Sequence, residues 1–175
     1  MSSAAITAPS GWEPPSWDDI VHEHSSRVYR WAYRLTGNAH DAEDLVQETM
    51  LRAYRAFDRY RPGTNARAWL FTILHRLRTD ALRRRGRSPD TVELVDDGPP
   101  VAPVHEAALT SGHEEITRAL EGLPEVFRSA VVLRDIEEFS YAEIAGVLGV
   151  PVGTVMSRIH RGRALLRRAL SGRTE

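Results

Sequence analysis

The chain contains no cysteine, which removes disulfides, thiolate nucleophiles and cysteine-based zinc sites together. It also contains no lysine, so all 23 of its cations are arginine. No apolar run approaches the ~20 residues that a membrane-spanning helix needs, so no membrane insertion is expected. The N-terminus, MSSAAITAPSGWEPP, lacks the basic and apolar regions of a secretory signal, so a cytoplasmic location is expected. No stretch alternates like a strand, and no glycine-rich phosphate loop is present. The seven histidines show no metal-ligand spacing beyond His22-Glu23-His24, where side chains two apart on a helix diverge. These absences predict no metal and no cofactor, and they argue against an enzyme.

What is present is 175 residues, 42% hydrophobic and 27% charged, as in an ordinary soluble globular protein. At ~100–200 residues per domain the length fits one domain or two small ones. The net charge of −1, taken whole, speaks against a nucleic-acid binder. Segment by segment it does not. Residues 1–87 carry +4, residues 88–115 carry −7 and residues 116–175 carry +2, so an acidic middle hides two basic ends.

The acidic middle holds Asp90, Glu93, Asp96, Asp97, Glu106, Glu114 and Glu115 together with Pro89, Pro99, Pro100 and Pro103. It is expected to be a flexible linker over 88–112, between helical domains at 17–87 and 113–171 and after a disordered tail of 16 residues. Its acids either keep the linker solvated or imitate nucleic acid by occupying a basic channel.

Both ends read as helical. Ser16 and Asp19 fit a capping box, and Ile20, His24, Val28, Trp31 and Leu35 follow at helical spacing until Gly37. Asn38 and Asp41 open a second helix with Ala42, Leu45, Val46, Thr49, Met50, Ala53 and Phe57 on one face. A turn over Arg61–Asn65 leads into a third helix from about Ala66 to Arg85. The C-terminal end offers a helix to about Glu121, a second from Pro124 to about Ile136, a third capped by Ser140 and Glu143, and a last one from about Val152 to Leu170. The expected fold class is all-α, with two small helical domains.

Ser140–Leu170 reads as a helix-turn-helix. Gly149 supplies the turn's positive φ. Val155 and Ile159 are expected to face the core, and Thr154, Ser157, Arg158, His160, Arg161 and Arg163 to face DNA. Residues 154–173 hold six arginines and no acid, and the planar guanidinium fork suits guanine edges and phosphates. A second basic run, His75–Arg87, follows Trp69 and Phe71 and the Gly63-Thr64-Asn65 turn. Basic groups beside aromatics suit single-stranded or opening DNA, although a tryptophan on an amphipathic helix more simply belongs to the core.

The segments DAEDLVQETMLRAYRAF (41–57), GTNARAWLFTIL (63–74) and SYAEIAGVLGVPVGTVMSRIHRGRALLRR (140–168) resemble the extracytoplasmic-function sigma factors of bacterial RNA polymerase. The resemblance spans nearly all of the chain beyond residue 17 and fits the minimal two-domain type. It implies that helix 38–57 docks on the clamp coiled coil of the polymerase largest subunit, with Asp44, Gln47 and Glu48 meeting basic side chains while Leu45 and Met50 pack. It implies that the loop holding Arg61, Gly63, Thr64 and Asn65 captures an unpaired −10 base, with Arg76, Asp80, Arg83 and Arg84 near DNA. The last helix would read the −35 element, and the C-terminal domain would meet the polymerase flap. Arg76 stands where many members carry Asn, and Met156 where a basic residue is common, which shifts weight onto Arg158 and Arg161. An anti-sigma partner, of a type that binds zinc and senses stress at the envelope, is implied as well. The competing classes are a stand-alone helix-turn-helix regulator and an adaptor that only binds polymerase or another protein. The first needs a receiver domain, and residues 1–87 show no βα alternation.

Overall fold

The computed structural model describes residues 13–86 and 111–171, the side chains of 111–114 excepted. The expected tail (but for its last four residues) and most of the expected linker lie outside the described residues. Among the described residues seven α-helices run in the order α1 (Trp17–Thr36), α2 (Ala39–Arg55), α3 (Ala66–Arg84), α4 (Ser111–Glu121), α5 (Glu125–Val131), α6 (Tyr141–Leu148) and α7 (Val152–Ser171). A short 3-10 turn, Phe57–Arg59, follows α2, and no strand occurs among the described residues.

The caps are those the side chains dictate. The Ser16 hydroxyl accepts from the Asp19 N–H at 3.2 Å while the Asp19 carboxylate accepts from the Ser16 N–H at 2.9 Å. Ser140 and Glu143 repeat the arrangement at the start of α6. Each box satisfies amide groups that a helix end otherwise leaves unbonded. Gly37 ends α1 and Gly149 ends α6 in the left-handed conformation, at φ 77° and 67°.

One departure from the periodicity matters. The helix expected to run to Ile136 stops being α-helical at Val131 and continues as a π turn over Val132–Ile136. The Glu137 N–H reaches back five residues to the Val132 carbonyl at 3.0 Å. Glu138 then takes φ 58°, a conformation that costs a non-glycine residue on the order of 1–3 kcal/mol. This wider turn swings Glu137 and Phe139 away from α5 and towards the N-terminal half.

Helices α1–α3 form one bundle and α4–α7 the other, and α3 packs against both α2 and α6. Trp31 is fully buried and stacks on Phe71, ring centres 4.6 Å apart. Phe71 in turn meets Phe139, 1% exposed, at 5.5 Å. The apolar core is therefore continuous from one half to the other. Phe71, read from sequence as a candidate for contact with opening DNA, is a core residue, because its position on α3 faces α1. Trp69 is half-buried against Tyr60, at 5.0 Å.

Candidate nucleic-acid and polymerase interfaces

The chain bends by 98° between α6 and α7, the geometry of a helix-turn-helix pair. Val155 and Ile159 are 0% and 2% exposed and fix which side of α7 faces the core. Ser157, His160 and Arg161 lie on the exposed side, while Thr154 and Arg158 sit half-buried on its flank. The Ser157 hydroxyl donates to the Thr154 carbonyl at 3.0 Å. Arg163 is held differently: its guanidinium forks onto the Asp135 carboxylate, with Nε to Oδ2 at 3.0 Å and a second bond from Nη2 to Oδ1. That pair ties α7 to the π turn, a role no short-range pattern announces.

The turn before α3 is rigidly built. Tyr60 donates its hydroxyl to the Thr64 carbonyl at 2.8 Å, and Thr64 donates to the Arg61 carbonyl at 2.7 Å. Gly63, at φ 87°, lets the chain reverse there. Asn65 caps α3 by accepting from the Ala68 N–H at 3.1 Å. Arg61, Gly63, Thr64 and Asn65 are all exposed, as are Arg76, Asp80, Arg83 and Arg84 along α3. Asp80 lies 3.9 Å from Arg83.

Arg76, Asp80 and Arg83 line one wall of a cleft of about 220 Å³ whose far wall is Gly149, Val150 and Arg158 of the helix-turn-helix. Asn65 also reaches the C-terminal half, its amide donating to Glu143 at 2.6 Å. The Ser140 N–H and the Asn65 amide together hold the Glu143 carboxyl below its ordinary value. Burial pushes the Arg34 and Arg128 guanidiniums down from theirs.

On α2, Asp44 and Gln47 are exposed and Glu48, half-exposed, holds Arg52 at 2.7 Å. Leu45 and Met50 are half-buried against the protein's own core. The large apolar side chains of α2 that do face outward are Leu51 and Tyr54, 43% and 61% exposed. They share the outer face with Gln47, at i, i+4 and i+7. Trp17 braces Tyr54 edge-on at 5.4 Å. Neither residue lies on the apolar stripe by which α2 is recognised in the sequence. Counting apolar residues off the buried stripe would have found them.

Among the described residues no group of acids and histidines is placed to hold a metal ion, and no single helix is long and apolar enough to cross a membrane.

Comparison with known proteins agrees with this geometry. Residues 20–88 match the family Sigma-70 region 2 and residues 113–166 match Sigma-70, region 4. The chain is 49% identical to the ECF RNA polymerase sigma factor SigE of Mycolicibacterium smegmatis over 87% of its own length, spanning 61% of that relative. It is 34% identical to the ECF RNA polymerase sigma factor SigW of Bacillus subtilis, covering 87% of each chain. Its fold is similar to that of the sigma factor RpoE of Bartonella quintana, solved in complex with the anti-sigma factor NepR, at a TM-score of 0.70, 29% identity and coverage of 89% of this chain and 96% of that one. A chain with no strand among its described residues, a basic helix-turn-helix, a tightly bonded turn before α3 and both sigma-70 regions in order belongs to the ECF sigma factors, the transcription-initiation factors of bacterial RNA polymerase.

Proposed function

We propose that the chain binds core RNA polymerase in the cytoplasm and directs it to promoters through two readers, with no catalytic step of its own. The observation that carries this reading is the outward basic face of α7, set at 98° to α6 and joined to a second basic helix, α3. Residues 17–87 act as the region that docks on polymerase and reads and melts the −10 element. Residues 113–171 read the −35 element and meet the flap. Ser157, His160 and Arg161 enter the major groove, where the N-terminal part of a recognition helix contacts base edges. Thr154 and Arg158 flank them. Arg163, already engaged by Asp135, serves the scaffold first. The rigid turn Arg61–Asn65 holds an unpaired −10 base, with Arg76, Asp80, Arg83 and Arg84 along the strand.

The outer face of α2 meets the clamp coiled coil. Asp44, Gln47 and Glu48 supply the polar rim, and Leu51 and Tyr54 supply the apolar centre ahead of Leu45 and Met50. Leu51→Ser is expected to weaken polymerase binding at least ~10-fold with the circular dichroism spectrum unchanged, since a hot-spot residue contributes ≥ ~1.4 kcal/mol. Similarity to a sigma factor captured with its anti-sigma factor supports anti-sigma control here, and a zinc-containing, stress-sensing partner fits a chain with no cysteine of its own.

The test is run-off transcription with core polymerase on a randomised promoter library. Enriched −35 and −10 sequences at fixed spacing are expected, and a library transcribed without sequence preference overturns the reading. Arg161→Ala is expected to cost about 1–3 kcal/mol of −35-dependent initiation. A loss equal on every sequence would make Arg161 a phosphate contact instead of a base reader.

A further inference from the structure

Among the described residues eight large apolar side chains are exposed, and three of them gather at the helix-turn-helix: Tyr141, Val152 and Met156. Scattered singly such residues are ordinary, but a group of them marks a surface that something covers. Val152 and Met156 are 42% and 52% exposed and stand four residues apart on α7, so their side chains are neighbours. Tyr141 and Met156 line one shallow groove beside that helix, together with buried Ile159 and half-buried Leu166. Arg134 steadies the Tyr141 ring, its guanidinium 5.0 Å from the ring centre while it donates to the Phe139 carbonyl at 2.8 Å.

The setting decides what can cover this group. Helix α7 carries five arginines and no acid, and His160, Arg163 and Arg167 border the same groove. An apolar protein surface would strip these cations of water, whereas a polyanion would pair with them. Duplex DNA is a polyanion that also carries an apolar group on its base edges, the 5-methyl of thymine, and displays it in the major groove. At about 100° per residue, Val152 and Met156 stand on one flank of the buried stripe Val155, Ile159 and Gly162, and Thr154 and Arg158 stand on the other. Both apolar residues belong to the first turns of α7, the part of a recognition helix that reaches base edges. A long helical side chain also leans towards its helix's N-terminus.

We propose that Met156, backed by Val152, sets −35 specificity by packing on the 5-methyl group of a thymine. The proposal rests on the −35 reading above and names a determinant that makes no hydrogen bond. The thioether has no hydrogen to donate and accepts only weakly. Set against guanine or adenine it leaves the N7 acceptor unpaired, and set against cytosine it leaves the N4 donor unpaired, which weakens binding. Thymine is the one base that presents a methyl group, and the unbranched methionine chain adapts its shape to cover it. An arginine at the same place would favour guanine or a phosphate.

Deoxyuridine pairs as thymine does and lacks only the methyl, so the test removes one methyl at a time. Each thymine of the −35 element enriched from the promoter library, on either strand, is replaced singly, and binding of the holoenzyme to that promoter is measured. At one or two positions the unaltered chain is expected to lose about fourfold in affinity, the effect of uncovering one methyl-sized group. With Met156→Ala the same replacement is expected to change nothing, while binding to the thymine form falls by that same factor. A flat scan in the unaltered chain overturns the proposal. So does a deoxyuridine loss that survives undiminished in Met156→Ala, or an enriched element with no T·A pair.

Met156→Arg gives a second readout should the alanine chain fold poorly. Its enriched element is expected to lose the thymine at that position, and an unchanged element overturns the proposal. The two levels of the argument fail separately. A holoenzyme that yields no promoter-specific transcript defeats the promoter-reading function, and Met156 with it. A specific transcript with a flat deoxyuridine scan defeats the role of Met156 alone.

Discussion

Trp31→Ala is expected to remove about 3–5 kcal/mol of stability, the range for truncating a fully buried large aromatic. Trp31 is 0% exposed, stacked on Phe71 at 4.6 Å and beside His75 at 6.2 Å. It is the side chain through which α1 grips α3. For a chain of this size with one continuous core, each kcal/mol is roughly 2–4 °C of melting temperature, so thermal unfolding by circular dichroism separates this loss from a modest one. The indole N–H finds no hydrogen-bond partner among the described residues. Trp31→Phe therefore gives up volume and no hydrogen bond, and a much smaller loss is expected. If Trp31→Ala costs less than ~1.5 kcal/mol, as a volume-conserving swap would, the stack is not the centre of the core.

The second large effect sits in the other bundle. A Cβ at Gly162 would lie 2.6 Å from the Val131 Cγ2, 3.2 Å from the Phe127 carbonyl oxygen and 3.3 Å from the Phe127 Cβ. The first is a branched side chain packed in a helix and the second is backbone, so neither yields cheaply. Alanine is ordinarily better than glycine inside a helix by ~1 kcal/mol, yet Gly162→Ala is expected to destabilise, because overpacking costs about 1–3 kcal/mol. Gly162→Val should reach the top of that range or pass it by forcing α5 from α7. Urea unfolding of the three chains checks the order Gly, Ala, Val. A more stable alanine chain would mean that the helices slide apart freely.

Gly162 also illustrates how far the sequence could be read. Helix starts and stops were legible because their causes are local: Ser16 with Asp19, Ser140 with Glu143, Gly37 and Gly149 each act within five residues. The helix-turn-helix was legible for the same reason, through Gly149 and the buried pair Val155 and Ile159. What was not legible depends on distant partners. Glu137 reads as one more surface acid until Arg27 and Arg67, 110 and 70 residues away, are brought beside it. Arg163 belonged, by charge alone, with the DNA-facing arginines, and only the π turn brings Asp135 under it. That turn has no signature in composition, because a five-residue hydrogen-bond step uses the same apolar residues as a four-residue one. Leu51 and Tyr54 went unread because helical periodicity identifies the buried stripe and says nothing of apolar residues left outside it.

Those two side chains also bear on how a partner would be met. Leu51 and Tyr54 are exposed in the chain by itself, and Trp17 holds the Tyr54 ring edge-on. A face set before contact loses little side-chain freedom on binding, so less of the gross contact energy is spent on ordering it.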